Sequence, residues 1–306
     1  MTIPELNRRY GAPERIVFHE GLGGYPEVIL SNKYGIAEVA LLGANTLSYR
    51  PTGHSPVLFR PSKRDYNRGE AIHGGIPVCW PQFGNRALRD MPQHGFVRIM
   101  PFSVKSSTYS EDMTEIVLAL SSTPATRELW NHDFSIEVKI TVSMKLTLQL
   151  IVKNTGDEPW DFSAGFHPYF LVRDCNNLVL RGVEGCNAVN AAENTEFTQC
   201  GDLEKLSGVD IVYSLPPRIK HEFALLDDGL RRAVALVSSG SQSLVVWNPE
   251  NVESMGDLKG ENPGCFVCVE PVSCWPGAAT LKPGEKYDLL VAIQALAPSQ
   301  NEEDRQ

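Results

Sequence analysis

The chain has 306 residues, 42% of them hydrophobic and 21% charged, which supplies apolar mass for a sizeable core and excludes disorder of the whole chain. A formal net charge of −9 argues against a nucleic-acid surface, which needs clustered Lys and Arg to displace counterions from phosphates; a small molecule is the expected partner. No run reaches the ~18 uninterrupted apolar residues of a membrane span, and the N-terminal MTIPELNRRYGAPERIVFHE lacks the apolar stretch of a secretion signal, so the cytoplasm is the expected compartment and a monomer the expected state.

Strand-like runs begin at 27–31 (EVILS) and 36–42 (IAEVALL). Before them, Gly21-Leu22-Gly23-Gly24 runs into Tyr25-Pro26, opens no helix and is given no phosphate role. The segment 72–98, IHGGIPVCWPQFGNRALRDMPQHGFVR, is the densest in unusual residues. Gly74 and Gly75 allow close backbone approach or a positive φ, while Pro77, Pro81 and Pro92 block a continuous helix. Read as a pocket wall, the segment offers Trp80 and Phe83 as flat faces for sugar C–H groups, and His73, Gln93, His94 and Arg98 as donors for hydroxyls or an anion. Read plainly, it is a set of tight turns around a buried tryptophan.

Run 115–121 (EIVLALS) is a further strand, and 125–131 (ATRELWN) a single helical turn between strands. In 134–153 (FSIEVKITVSMKLTLQLIVK) every even position is apolar and nearly every odd one polar. The length of this period-two stretch predicts two antiparallel strands joined near Ser143–Lys145, each with one buried and one solvated face. Phe166-His167-Pro168-Tyr169-Phe170 sets a lone histidine among aromatics, and the following proline pushes its backbone toward the extended region. Taken alone, His167 reads as a hydrogen-bonded core histidine before it reads as a catalyst.

More strands are expected at 233–238 (AVALVS), 243–248 (SLVVWN), 265–272 (CFVCVEPV) and 286–296 (KYDLLVAIQAL), with 298–306 a polar tail on a single domain covering 1–297. Many short strands with turn residues between them and no sustained helical period predict an all-β fold, an antiparallel β-sandwich or barrel. The seven cysteines, at 79, 175, 186, 200, 265, 268 and 274, are odd in number and scattered, as reduced thiols are. Cys265 and Cys268 have CxxC spacing, but inside a strand-like run they do not read as a zinc or redox site. Glu270, among Val267, Val269 and Val272, is the sharper signal. A buried unpaired carboxylate is expensive, so it must face a cleft or a partner. A histidine and a carboxylate brought together in a pocket make an acid–base pair. The chain lacks GxxxxGK[ST], HExxH and GxSxG, which leaves P-loop, zincin and α/β-hydrolase chemistry without their motifs.

In chain order, GGIPVCWPQFG at 74–84, PQHGFVR at 92–98, WNHDFSIEV at 130–138, NTGDEPWDFSAGFHPYF at 154–170, VDIVY at 209–213, VVWNP at 245–249, and VCVEPV with TLKPGE at 267–285 together resemble the aldose 1-epimerase superfamily, in its hexose-6-phosphate 1-epimerase branch. The likeness runs over nearly the whole chain. It implies a large antiparallel β-sandwich of galactose-mutarotase type with the sugar in a concave cleft, and chemistry that needs no metal and no nucleotide cofactor. It also implies roles: His167 the general acid at the ring oxygen, Glu270 the general base at the anomeric hydroxyl, Gln93 and Arg98 substrate-binding with Arg98 on the phosphate, Asp210 on sugar hydroxyls, and His94 lining the site. In those roles Glu270 starts ionised and His167 protonated, so an imidazole pKa raised by a negative neighbour or by the substrate phosphate is expected.

One departure stands out. The branch usually reads Arg-Gly-Gly-Ile-Pro, and here the arginine is His73, a titratable donor in place of a fixed bidentate one. Arg60, Lys63, Arg64 and Arg68 either restore the missing charge or form a solvated basic loop, and the loop is the favoured reading. Glucose-6-phosphate 1-epimerase activity is therefore expected. An aldose 1-epimerase acting on unphosphorylated sugar, or a non-catalytic carbohydrate-binding or assembly subunit, are the alternatives.

Overall fold

The period of two over 134–153 becomes a hairpin, Phe134–Val142 against Leu146–Asn154, in register from Phe134↔Asn154 to Val142↔Leu146. Its even positions from Phe134 to Val152 are buried, apart from Met144 in the turn, which is exposed. Each such aliphatic or aromatic side chain is worth roughly 1.5–3 kcal/mol when fully withdrawn from water. This computed structural model describes residues 1–62, 69–84, 91–274 and 278–297; the expected tail at 298–306 lies outside them, as do Lys63, Arg64 and Arg68.

The hairpin lies inside a nine-stranded antiparallel sheet that runs from Leu203–Glu204 through Leu178–Arg181, His221–Asp227, Arg232–Ser239 and Lys286–Leu296 to the hairpin, then Thr114–Ser121 and Ser103–Tyr109. Facing it is an eight-stranded sheet in the order Thr195–Thr198, Asn187–Asn190, Asp210–Ser214, Ser243–Trp247, Phe266–Ser273, Ala164–Phe166 and Val78–Cys79, with Tyr169–Leu171 also paired to Phe266–Ser273. Ile136, Val138, Leu148 and Leu150 of the first sheet and Leu244, Val246, Val267 and Val269 of the second lie in one buried cluster. Two sheets sharing one apolar layer make the expected β-sandwich. A four-stranded sheet, Ile16–Glu20, Pro26–Asn32, Gly35–Ala40 and Thr46–Pro51, adds Phe18, Val28, Leu30 and Val39 to the same cluster.

Helical structure is sparse. Pro124–Leu129 is the short helix expected between strands, capped by Thr123. The strand pattern gave no sign of a second helix, Ile3–Tyr10. Its signal is local: Thr2 and Glu5 form a reciprocal capping box, with Thr2 N–H donating to Glu5 Oε2 at 2.8 Å and Glu5 N–H to Thr2 Oγ1 at 3.4 Å. No helix among the described residues is long and apolar enough to cross a membrane.

Candidate functional site

The strand Phe266–Ser273 is buried along its whole length, and its two faces differ. Val267 and Val269 point into the sandwich core. Phe266 and Cys268 point the other way, packing with Phe59, Tyr169, Val252 and Leu258, and Glu270, two residues on, shares that face by the period of two. Residues directly opposite on paired strands project to the same side. Tyr169↔Cys268, Trp247↔Cys268 and Asp210↔Trp247 therefore form one row, with Val245↔Glu270 in the next. The outer face of the eight-stranded sheet thus carries Asp210, Trp247, Tyr169, Cys268 and Glu270 together.

The backbone of His167 is held by the glycine- and proline-rich segment. His167 N–H donates to the Pro77 carbonyl at 3.0 Å and Tyr169 N–H to the Gly75 carbonyl at 2.8 Å, while Val78 pairs with Phe166. Gly75 makes this approach possible: its φ is +67°, and a Cβ there would lie 2.4 Å from the Thr46 carbonyl oxygen. The His167 ring stacks on Tyr169 at 4.7 Å, meets Trp247 edge-on at 6.0 Å and His94 at 5.2 Å. Its Nε2 lies 3.5 Å from Glu270 Oε1, with the two residues 6% and 1% exposed. Among the described residues, His167 Nδ1 and Glu270 Oε2 have no hydrogen-bond partner.

Three more of the expected residues surround this pair. His94 sits at φ +60° in the turn after Pro92 and accepts the Gly84 N–H on Nδ1 at 3.2 Å. Burial, followed by repulsion from Arg98 and His73, pushes its imidazole down to about 3. Arg98 and His73 also act electrostatically on His167. His73 is held by a residue that no local pattern announced: its backbone N–H donates to Asp257 Oδ2 at 3.0 Å and its Nδ1 lies 2.5 Å from Asp257 Oδ1. Asp257 belongs to a short turn, Gly256–Leu258, 184 residues further along the chain. Gln93 is exposed beside His94.

One open reading is closed and one expectation is corrected. Trp80 is not a sugar-facing wall: it is 0% exposed and packs against Phe96, Trp130, Phe134 and Trp160, because Val78 and Trp80 both point into the sandwich. Phe83 remains beside the site, 5.0 Å from His94 and 6.3 Å from His167. The expected upward shift of His167 is reversed. Burial, then His94, Arg98 and His73, hold its imidazole well below the usual range. Burial and the Asp210 charge hold the Glu270 carboxyl well above its own. Burial thus favours the uncharged form of each partner. Arg60 does not supply the missing cation, since it pairs with Glu38 and lies 3.8 Å from Glu27. The CxxC cysteines do not share one element either: Cys265 ends the short turn Pro263–Cys265, and Cys268 lies inside the strand Phe266–Ser273.

A family model described as aldose 1-epimerase matches residues 26–294 of the chain. A Salmonella typhimurium protein that bears the provisional name glucose-6-phosphate 1-epimerase is 31% identical over 240 residues, covering 77% of this chain and 79% of that protein. A Cenchrus ciliaris protein of the same provisional name is 29% identical over 279 residues, 86% of this chain and 82% of its own length. Among solved structures, a provisionally named mutarotase from Salmonella typhimurium superposes with a TM-score of 0.84 at 26% identity, over 94% of this chain and 96% of that one.

Proposed function

Because the chain belongs to the aldose 1-epimerase family, we propose that it interconverts the α and β anomers of glucose 6-phosphate or a closely related hexose 6-phosphate by acid–base ring opening. The observation that carries this reading is the buried His167–Glu270 pair, 3.5 Å apart, with an unpartnered polar atom on each member. A scaffold protein gains nothing from such a pair, which costs folding free energy.

In this scheme Glu270 takes the proton of the anomeric hydroxyl while His167 gives one to the ring oxygen. The C1–O5 bond breaks to leave a free aldehyde, C1 turns about its bond to C2, and closure in the reverse sense yields the other anomer. The neutral pair and the ion pair hold the same number of protons, so sugar binding need only shift one proton from Glu270 to His167. A phosphate dianion near the imidazole favours that shift. Asp210 binds sugar hydroxyls, and Arg98, with His73, His94 and Gln93 around it, takes the phosphate by charge-assisted hydrogen bonds. The two relatives' names support a phosphorylated substrate. The same reading makes the protein a cytoplasmic monomer with no macromolecular partner.

One observation favours a second reading, the unphosphorylated sugar. His73 is already engaged by Asp257, so the site offers an anion less net positive charge than an arginine would. Exchange NMR of glucose 6-phosphate, glucose and galactose decides between them. Selective acceleration of the phosphosugar is expected; equal or greater acceleration of the free sugars establishes the second reading, and acceleration of none leaves a binding protein.

A further inference from the structure

Cys268 has no part in ring opening, yet it lies beside both reacting groups. Ligand atoms of His167, Cys268 and Glu270 all fall within 4.8 Å of one another, and all three residues are buried. Cys268 and Glu270 share the site face of one strand, and Tyr169, two residues after His167, is the cross-strand partner of Cys268. The 3.5 Å between His167 Nε2 and Glu270 Oε1 already matches one edge of a tetrahedron around an ion bonded at about 2.0–2.2 Å to nitrogen and oxygen, roughly 3.4 Å. Cys268 Sγ needs a shift of at most roughly 1.3 Å to complete the face with a sulfur bond of about 2.3 Å. Independently, Glu270 Oε2 is buried and unpartnered among the described residues, a lone pair with no protein donor.

We infer that His167, Cys268 and Glu270 form a latent site for a thiophilic divalent cation, Zn2+ foremost, whose occupation blocks the acid–base pair. Thiolate with imidazole and carboxylate selects zinc over the oxygen-seeking Mg2+ and Ca2+. Burial keeps the imidazole in its neutral, ligating form. Burial keeps both the Cys268 thiol and the Glu270 carboxyl protonated in the free protein, so on binding a Zn–S and a Zn–O bond replace the S–H and O–H bonds and two protons leave to solvent. A resident metal would be expected to find His167 Nδ1 braced by an acceptor, and it has none among the described residues. The site therefore suits an exchangeable inhibitor better than a cofactor. The other cluster of this kind among the described residues, His19, Glu27 and Glu38, already has Arg60 as its cation.

The test uses the full chain, stripped with chelator and titrated with Co2+ as a spectroscopic probe and with Zn2+ as the inhibitor. One equivalent of cobalt should give a sulfur-to-metal charge-transfer band. The band should survive Cys200→Ser, which removes an exposed thiol, vanish in Cys268→Ser and Cys268→Ala, and weaken at least tenfold in apparent affinity in His167→Gln. Zn2+ should suppress anomerisation reversibly, and its half-inhibiting concentration, taken against each variant's own metal-free rate, should rise at least tenfold without the Cys268 thiol. Circular dichroism shows which variants have folded. Absence of the band in native wild-type protein, or its persistence in a folded Cys268→Ala, overturns the inference. The cobalt band does not depend on which sugar reacts, so failure of the epimerase reading and failure of the metal site are separate outcomes.

Discussion

The hairpin Phe134–Val142 with Leu146–Asn154 and the strand Phe266–Ser273 are built on the same period of two, yet they use it to opposite ends. In the hairpin one face is buried and apolar up to Asn154 at its end, whose amide is hydrogen-bonded, and the other is half-exposed and mostly polar, so nearly every residue sits where its chemistry is most stable. In Phe266–Ser273 both faces are buried, and the face turned away from the core carries a carboxylate that water would solvate better. Burial alone accounts for the hairpin. The second strand gives up stability to hold a carboxyl in a dry place, which is where perturbed titration is found.

Substitution should separate the two. The largest effect belongs to the strand and is catalytic: Glu270→Gln and His167→Ala should each lower the rate of anomerisation by ~10²–10⁴, the usual worth of general acid–base help. Rates near wild type in a folded variant would remove the residue from its role. The hairpin should respond in stability instead. Leu150→Ala should lower the unfolding free energy by about 2–5 kcal/mol, the range for buried large-to-small changes, with the turnover of the folded fraction unchanged in chemical denaturation and rate assays run side by side.

A smaller effect tests the brace behind His73. Asp257→Asn removes the carboxylate that offsets His73, so KM for the phosphosugar should fall on the order of tenfold, the scale of one charge-assisted hydrogen bond, with kcat nearly unchanged. KM for free glucose should stay put. An equal change for both sugars would assign Asp257 to general architecture.

Another effect is on acid stability. The folded His94 imidazole is depressed to about 3, below its value of ~6.5 when unfolded. The unfolded chain therefore binds the proton more readily, and stability is present in full above pH ~6.5 and declines as pH falls below it. His94→Asn keeps a residue that tolerates φ +60° and removes the titration. Its melting temperature should fall less than that of wild type between pH 6.5 and 4.5. Parallel curves would show that other groups control the acid limb.

Much of this was legible beforehand, for reasons that are local. Alternation of side-chain character specifies a strand and its faces within a few residues, which is why 134–153, 233–238, 243–248 and 286–296 emerged as the strands they are. A carboxylate among valines at 267–272 could be read as needing a cleft, because the cost of burying it does not depend on the rest of the fold. Trp80 was open to two readings since a Gly- and Pro-rich segment fixes where the chain turns, not which side of the sheet a ring enters; packing with Phe96, Trp130, Phe134 and Trp160 chose the core.

What only the tertiary structure decided are the relations across the chain. Asp257 meets His73 over 184 residues, and nothing in the stretch NVESMGDLKG sets its aspartate apart from any other loop carboxylate. Spacing alone couples Cys268 to Cys265, whereas Cys265 ends the turn before the strand that holds Cys268 and the fold brings His167 to Cys268 instead. The direction of the His167 shift also reversed for a nonlocal reason, since a pKa is set by the burial and charges around a group, and here those are burial between packed elements first, then His94, Arg98 and His73 brought in from elsewhere in the chain. Periodicity and the cost of burial act within one segment and can be read from it; the electrostatic surroundings of a site are a property of the packed sheets, because they depend on distances that no single segment contains.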